Sequence, residues 1–284
     1  MLPILREGVD PAYAAKLLLD AGAAAGNVMG AGSPLVDRFN AYQEWAVNAE
    51  RLLASVLTPA ELARLLQTQR YWALHTGTVT WNGALATQLT VELVGRQDEL
   101  KAAGEAIKSE LGKWAYSGNG FPARRRHALV LDTNVLEMLG ASLGDFPWSQ
   151  RASLSEGAVT LVIPSVVREE LDKHKLSDNR PRINGVQFEL RKQARDALRV
   201  IGALFPGRDD RARLESATVH PIDVYLPVDE LTRVRFPIAD NEIVADALEL
   251  LPYAESVTLV SYDTNISLTA ARYGLQTLRL RYED

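Results

Sequence analysis

The sequence predicts an α/β domain over residues 127–284, a mainly parallel sheet flanked by helices, preceded by an all-α domain over residues 1–120. Two observations predict it. Apolar residues of the first half recur at helical spacing, whereas beyond residue 126 short apolar runs alternate with amphipathic segments. Between them lies Ser117-Gly118-Asn119-Gly120-Phe121-Pro122, whose glycines and proline break any helix.

In the first half, Pro11 to Leu19 is rich in Ala and Leu. Pro34 to Leu57 carries Phe39, Tyr42, Trp45, Ala46, Leu52, Leu53 and Val56 at helical spacing. Thr58-Pro59-Ala60-Glu61 reads as a helix start: Thr58 as cap, Pro59 in the first turn, Glu61 closing a capping box. Leu89 to Trp114 is another helix, and His75 to Thr80 is turn-like or extended. The sum is a bundle of about four helices, with Trp45, Trp72, Trp81 and Trp114 expected in its core. Arg70 and His75 have a spacing found in some helical ribonucleases, but the flanking residues add nothing to it.

In the second half, His127 to Leu131 is a strand and Val135 to Leu143 a helix. Val159 to Ile163 is a strand ended by Pro164, and Ser165 is placed to cap the helix to about Lys175. Gln187 to Leu204 and Asp240 to Leu251 are helical. Val257 to Val260 is a strand, Ile266 to Tyr273 a helix and Leu275 to Leu280 the last strand. Such β–α units imply parallel strands covered by helices.

Composition narrows the chemistry. The 284 residues include no cysteine, so a metal site would use oxygen or imidazole ligands. The four histidines are scattered and suggest no zinc site. No apolar run reaches the roughly 20 residues that span a bilayer, and the N-terminus lacks the pattern of a signal peptide; a cytoplasmic location is expected. The net charge is −5, which does not advertise nucleic-acid binding. The charge is uneven: residues 1–126 hold 13 Lys+Arg against 12 Asp+Glu, and residues 127–284 hold 18 against 24.

Four acids of that second half sit at telling places. In open α/β sheets the crevice beyond the carboxyl ends of the strands binds ligands. Asp132 directly follows the first strand and Asp263 lies just past the strand at 257–260. Glu170 is on the helix after the strand at 159–163, and Asp240 opens a helix. Each alone reads equally as a turn former, cap or solvated group. If the strands are adjacent and parallel, the four converge, and converging carboxylates call for a hard divalent cation, Mg²⁺ or Mn²⁺. Such a cation activates water for in-line displacement at phosphorus.

These segments resemble the PIN domain family of metal-dependent nucleases over residues 127–284. Leu131-Asp132-Thr133-Asn134-Val135-Leu136 resembles its opening motif. Ile163-Pro164-Ser165 through Glu169-Glu170-Leu171-Asp172 resembles its second, Asp240-Asn241-Glu242-Ile243 its third, and Leu259-Val260-Ser261-Tyr262-Asp263-Thr264-Asn265 followed by Gly274-Leu275 its fourth. The resemblance implies that Asp132, Glu170, Asp240 and Asp263 bind metal and carry catalysis, with Asn134 and Ser261 in support; Glu242 is a secondary candidate for support, or is merely solvated. Glu169 is the rival of Glu170, and Asp172 a secondary candidate. The long stretch between the second and third motifs is similar to that of the larger PIN nucleases of RNA processing.

The implied activity is therefore a Mg²⁺- or Mn²⁺-dependent endoribonuclease acting on single-stranded RNA. A DNA nuclease of flap type, a non-catalytic scaffold and a Mg²⁺-binding regulatory α/β domain are the alternatives. Residues 168–199 hold 9 Lys+Arg against 6 Asp+Glu. Lys173, Lys175, Arg180, Arg182, Arg191, Lys192 and Arg195 are candidates for a phosphate path; a normally charged helix pair explains them equally well. The expected partner is RNA, with single-stranded DNA and a homodimer left open.

Overall fold

The computed structural model describes residues 2–29, 34–76, 83–116, 124–154, 158–179, 182–183, 186–187, 189–214, 222–228 and 233–281. The segment 77–80, Trp81, the 117–122 break, Arg180 and the side chain of Arg182 lie outside them. The chain forms two compact units, Met1–Lys113 and Trp114–Asp284.

The regular elements of the first unit are helices: α1 (Pro11–Met29), α2 (Leu35–Leu53), α3 (Pro59–Leu65), α4 (Gln69–His75) and α5 (Gly83–Trp114), with one antiparallel bridge between Leu5 and Leu57. Two short helices, α3 and α4, occupy the stretch between the long ones. Helices α1 and α2 pack together, and the buried Trp45 indole donates to the Ala21 carbonyl at 2.9 Å. Trp45 is buried in the bundle as expected; Trp114 is buried too, but in the second unit, its ring edge-on to Tyr225, whereas Trp72 is 49% exposed. It sits next to the buried Tyr71 on the two-turn α4, so its ring meets Tyr71 edge-on and otherwise faces out. The expected capping box at Thr58 does not form. Pro59 does open α3, but Thr58 makes no side-chain cap, and Glu61 is drawn instead to Arg64 at 2.7 Å. Arg70 donates to Gln88 at 2.8 Å and His75 contacts the Tyr71 carbonyl at 2.9 Å. Both serve packing within the bundle, and they form no ribonuclease-like pair.

The second unit carries the sheet. After the short ribbon β1 (Ala115–Tyr116) and β2 (Arg124–Arg125) come β3 (His127–Leu131), α6 (Thr133–Leu139) and a 3₁₀ turn over Gly140–Gly144. Gly140 has φ +44°, a conformation that favours glycine, and it ends α6 four residues before the expected boundary. There follow α7 (Trp148–Arg151), β4 (Val159–Val162), α8 (Ser165–His174), a second ribbon of β5 (Arg182–Ile183) and β6 (Val186–Gln187), and α9 (Leu190–Leu204). The chain continues through β7 (Arg211–Leu214), β8 (Ile222–Tyr225), α10 (Ala239–Leu250), β9 (Val257–Ser261), α11 (Thr264–Arg272) and β10 (Gln276–Arg279).

Six strands form one sheet in the order β10-β9-β3-β4-β8-β7, all parallel except the edge strand β7. The fold class is the expected α/β, preceded by a helical region. The central strands β3, β4 and β9 are almost wholly buried, as strands covered on both faces must be. Strands β7 and β8 have no counterpart in the sequence reading. They are short, and β7 (Arg211-Ala212-Arg213-Leu214) has its charges where an edge strand tolerates them. Arg213 faces Asp223 across the pair at 3.3 Å. Behind it, the Arg211 guanidinium lies between the Trp114 and Tyr225 rings, 4.8 and 4.4 Å from their centroids.

Candidate active site

In a parallel sheet every following helix starts at the carboxyl edge, so that edge collects strand ends and helix N-termini together. Strands β9, β3 and β4 are adjacent there. The register aligns Leu131 of β3 with Val260 of β9, and the Asp132 amide continues the ladder to the Val260 carbonyl at 3.0 Å. Asp132 and the end of β9, with Ser261, are thereby side by side.

Asp132 caps α6. One carboxylate oxygen accepts from the Thr133 amide at 2.7 Å, and the other from Asn134 Nδ2 and Ser261 Oγ, each at 2.6 Å. Asn134 also donates to Ser261 Oγ at 3.2 Å and accepts from the Tyr262 amide at 3.1 Å. Ser261 Oγ in turn accepts from the Asp263 amide at 2.8 Å. Asn134 and Ser261 thus tie the loop after β3 to the loop after β9. Asp263 caps α11, accepting from the Asn265 amide at 2.6 Å. Both aspartates fill the cap role that each would have alone; the other oxygen of Asp263 stays available.

Glu170 lies five residues into α8 and accepts from Thr133 Oγ1 at 2.5 Å. Its rival Glu169 is engaged elsewhere, paired with Arg235, and Asp172 pairs with Lys175 at 2.6 Å. Ser165 does not cap α8; its hydroxyl accepts from Arg235 at 3.2 Å. Asp240 is the second residue of α10.

The acids feel one another. Burial is the main cause lifting Asp132 from 3.8 to about 6; the charges of Asp240 and Glu170 add to it, and the Ser261 and Thr133 hydrogen bonds oppose it. Asp240 is raised by burial and then by Asp263 and Glu170. All four therefore lie within electrostatic reach in one chain of repulsions. None of the four is ion-paired to Lys, Arg or His among the described residues, although Glu169, Asp172 and Glu137 beside them are. As they stand, no three Asp, Glu or His side chains among the described residues are close enough to ligate one ion. The donors are all oxygen and no cationic side chain among the described residues pairs with them, which suits a hard divalent cation in chemistry and in charge.

A profile of the PIN domain family matches residues 129–281, more than half of the chain. The chain belongs to the PIN domain family. No curated protein sequence matches it significantly. The PIN domain is a nuclease-type α/β fold, and in this one the four candidate acids are carried by α8 and α10 and by the residues just beyond β3 and β9.

Other residues around the PIN site differ from the sequence reading. Glu242 is 1% exposed; it accepts from the Phe236 amide at 2.8 Å and pairs with Arg233 at 3.0 Å. Its support is to the segment leading into Asp240. Two groups were missed. Thr133 orients Glu170, and its only signal was adjacency to Asp132. Glu137 is 8% exposed on α6 and meets His174 of α8 at 2.6 Å. Burial raises its pKa, with Glu170 and Asp132 adding and His174 opposing. Its signal was a lone acid on the apolar side of Val135-Leu136-Glu137-Met138-Leu139. Of the basic candidates, Arg191, Lys192 and Arg195 are exposed on α9, whose Ala194, Ala197 and Ile201 face inward. Lys173 is exposed at the end of α8, Lys175 is taken by Asp172, and Arg191 approaches Asp178 at 3.7 Å. No helix among the described residues is long and apolar enough to cross a membrane.

Proposed function

We propose that this PIN domain is a Mg²⁺- or Mn²⁺-dependent endoribonuclease that hydrolyses phosphodiester bonds of single-stranded RNA. The observation carrying the reading is the set of four acids from four elements, linked by repulsion through Asp132 and Asp240, with no cation partner among the described residues. Asp132, Glu170, Asp240 and Asp263 would hold the ion. A bound divalent ion supplies activation of water and stabilisation of charge on the phosphate. The chain's own residues orient the ligands: Thr133, Asn134 and Ser261 fix both oxygens of Asp132, Thr133 also turns Glu170, and the Asn265 amide turns Asp263. Water adds to phosphorus in line, the opposite P–O bond breaks, and the departing oxygen takes a proton. Arg191, Lys192 and Arg195 of α9 would draw the strand toward the site by its phosphates, with Lys173, Lys175, Arg180 and Arg182 as further contacts.

The test is cleavage of a labelled single-stranded RNA. Wild type should cut with Mg²⁺ or Mn²⁺ and stop with chelator. Asp132→Asn or Asp263→Asn should abolish cutting while RNA binding persists. Wild-type protein that cuts neither RNA nor DNA with either metal would make the domain a scaffold.

A further inference from the structure

Helices α6 and α8 are joined at two levels. Thr133 and Glu137 share one face of α6 at i, i+4, and Glu170 and His174 share one face of α8 at the same spacing. The first rung is Thr133 Oγ1, which donates to Glu170 at 2.5 Å. The Thr133 amide also donates to Asp132 at 2.7 Å, so this rung joins two of the four acids. The second rung, His174 Nδ1 with Glu137 at 2.6 Å, lies four residues or about 6 Å farther along both helices. Glu137 is buried, sits within electrostatic reach of Asp132 and Glu170, and has only His174 as a polar side-chain partner among the described residues. Carboxylates this near repel, which favours a wider separation of α6 from α8. A buried acid is a costly way to fasten two helices. An apolar pair would pack them without taking a charge out of water, and the adjacent Val135 and Leu136 are apolar and buried. Apolar contacts tolerate sliding, whereas a hydrogen bond holds one placement. A single rung is a pivot about which α6 can turn; two rungs at different heights fix both distance and rotation.

Resting on the nuclease reading above, we propose that Glu137 and His174 are positioning residues whose contact latches α6 to α8 and keeps Asp132 and Glu170 beside each other, against their own repulsion, for a divalent cation. Neither side chain acts as a ligand, since each is engaged by the other. Their effect on the metal runs through Thr133, which bonds both acids. With the latch closed, the cation meets acids already gathered and spends less of its binding energy on drawing two helices together.

The experiment titrates the full chain with Mn²⁺, read by the paramagnetic resonance of the free ion, with melting in chelator alongside. Glu137→Leu with His174→Leu removes the latch and keeps an apolar contact. Melting without metal should match wild type or rise, while the Mn²⁺ dissociation constant rises about 10- to 100-fold. His174→Ala should weaken Mn²⁺ binding to a similar degree. His174→Asn offers an amide nitrogen near the Nδ1 position and should hold affinity near wild type. In RNA cleavage the double variant should lose kcat at low Mn²⁺ and regain it at saturating Mn²⁺, with KM for RNA unchanged. Unaltered Mn²⁺ affinity in the double variant and in His174→Ala overturns the latch. Affinity that falls as far in His174→Asn as in His174→Ala assigns the imidazole itself to the metal and also overturns it. A wild type that cuts no RNA, yet binds Mn²⁺ in a way that Asp240→Asn abolishes and the double variant weakens, refutes the nuclease reading and leaves the latch standing. A wild type that binds no Mn²⁺ refutes both.

Discussion

Replacing Asp132 by Asn should change stability in a way that depends on pH. In the unfolded chain Asp132 ionises near 3.8, whereas in the folded one burial holds its proton to about 6. Between those values the native state binds the extra proton. The contribution of Asp132 is therefore most favourable below pH 4 and is lost as pH rises through the folded value. Two pKa units correspond to about 3 kcal/mol. Asn carries no charge, so the variant escapes this loss, but it cannot accept at both oxygens. Whichever way its amide turns, the nitrogen meets a donor, the Thr133 amide on one side or Asn134 Nδ2 on the other, which costs about 1–3 kcal/mol at every pH. In chelator at pH 4 the variant should be the less stable protein. By pH 7 its stability relative to wild type should have risen by about 3 kcal/mol, roughly 6–12 °C in melting temperature for a unit of this size. Taking the difference between the two proteins cancels every other titrating group. A difference that stays constant from pH 4 to pH 7 would show that Asp132 does not carry an uncompensated buried charge.

Millimolar Mg²⁺ or Mn²⁺ should raise the wild-type melting temperature at pH 7 by mass action, and the rise should shrink in Asp132→Asn and in Asp240→Asn; a melting curve indifferent to metal would count against the four acids as ligands. Replacing Arg191, Lys192 and Arg195 together with Gln should weaken RNA binding and flatten its salt dependence by up to about 0.7 in slope for each lost single-strand contact. Cleavage at saturating RNA should survive, and an unchanged salt slope would remove α9 from the phosphate path.

The period of the apolar residues was enough to separate a helical half from an α/β half, and the position of each acid relative to a strand was enough to nominate Asp132, Glu170, Asp240 and Asp263. Both are local properties, read from spacing along one chain. What lay beyond local spacing was decided by packing. Ser165 has cap chemistry but already lies inside α8, with Pro164 before it, and Thr58 at its cap position makes no side-chain cap while Glu61 pairs with Arg64. The resemblance already preferred Glu170, the acid directly before Leu171, over Glu169; in the fold Thr133 meets the first and Arg235 the second. Glu242, adjacent to the site in sequence, turns inward to hold the 233–238 segment. Strands β7 and β8 were too short to register as a pattern and exist because β4 offers an open edge. The chain order thus determined which acids reach the carboxyl edge, since a parallel sheet delivers strand ends and helix starts there. Only the tertiary structure decided which acids are ion-paired, since such pairs form between residues as far apart as 169 and 235, whose meeting no spacing along the sequence records.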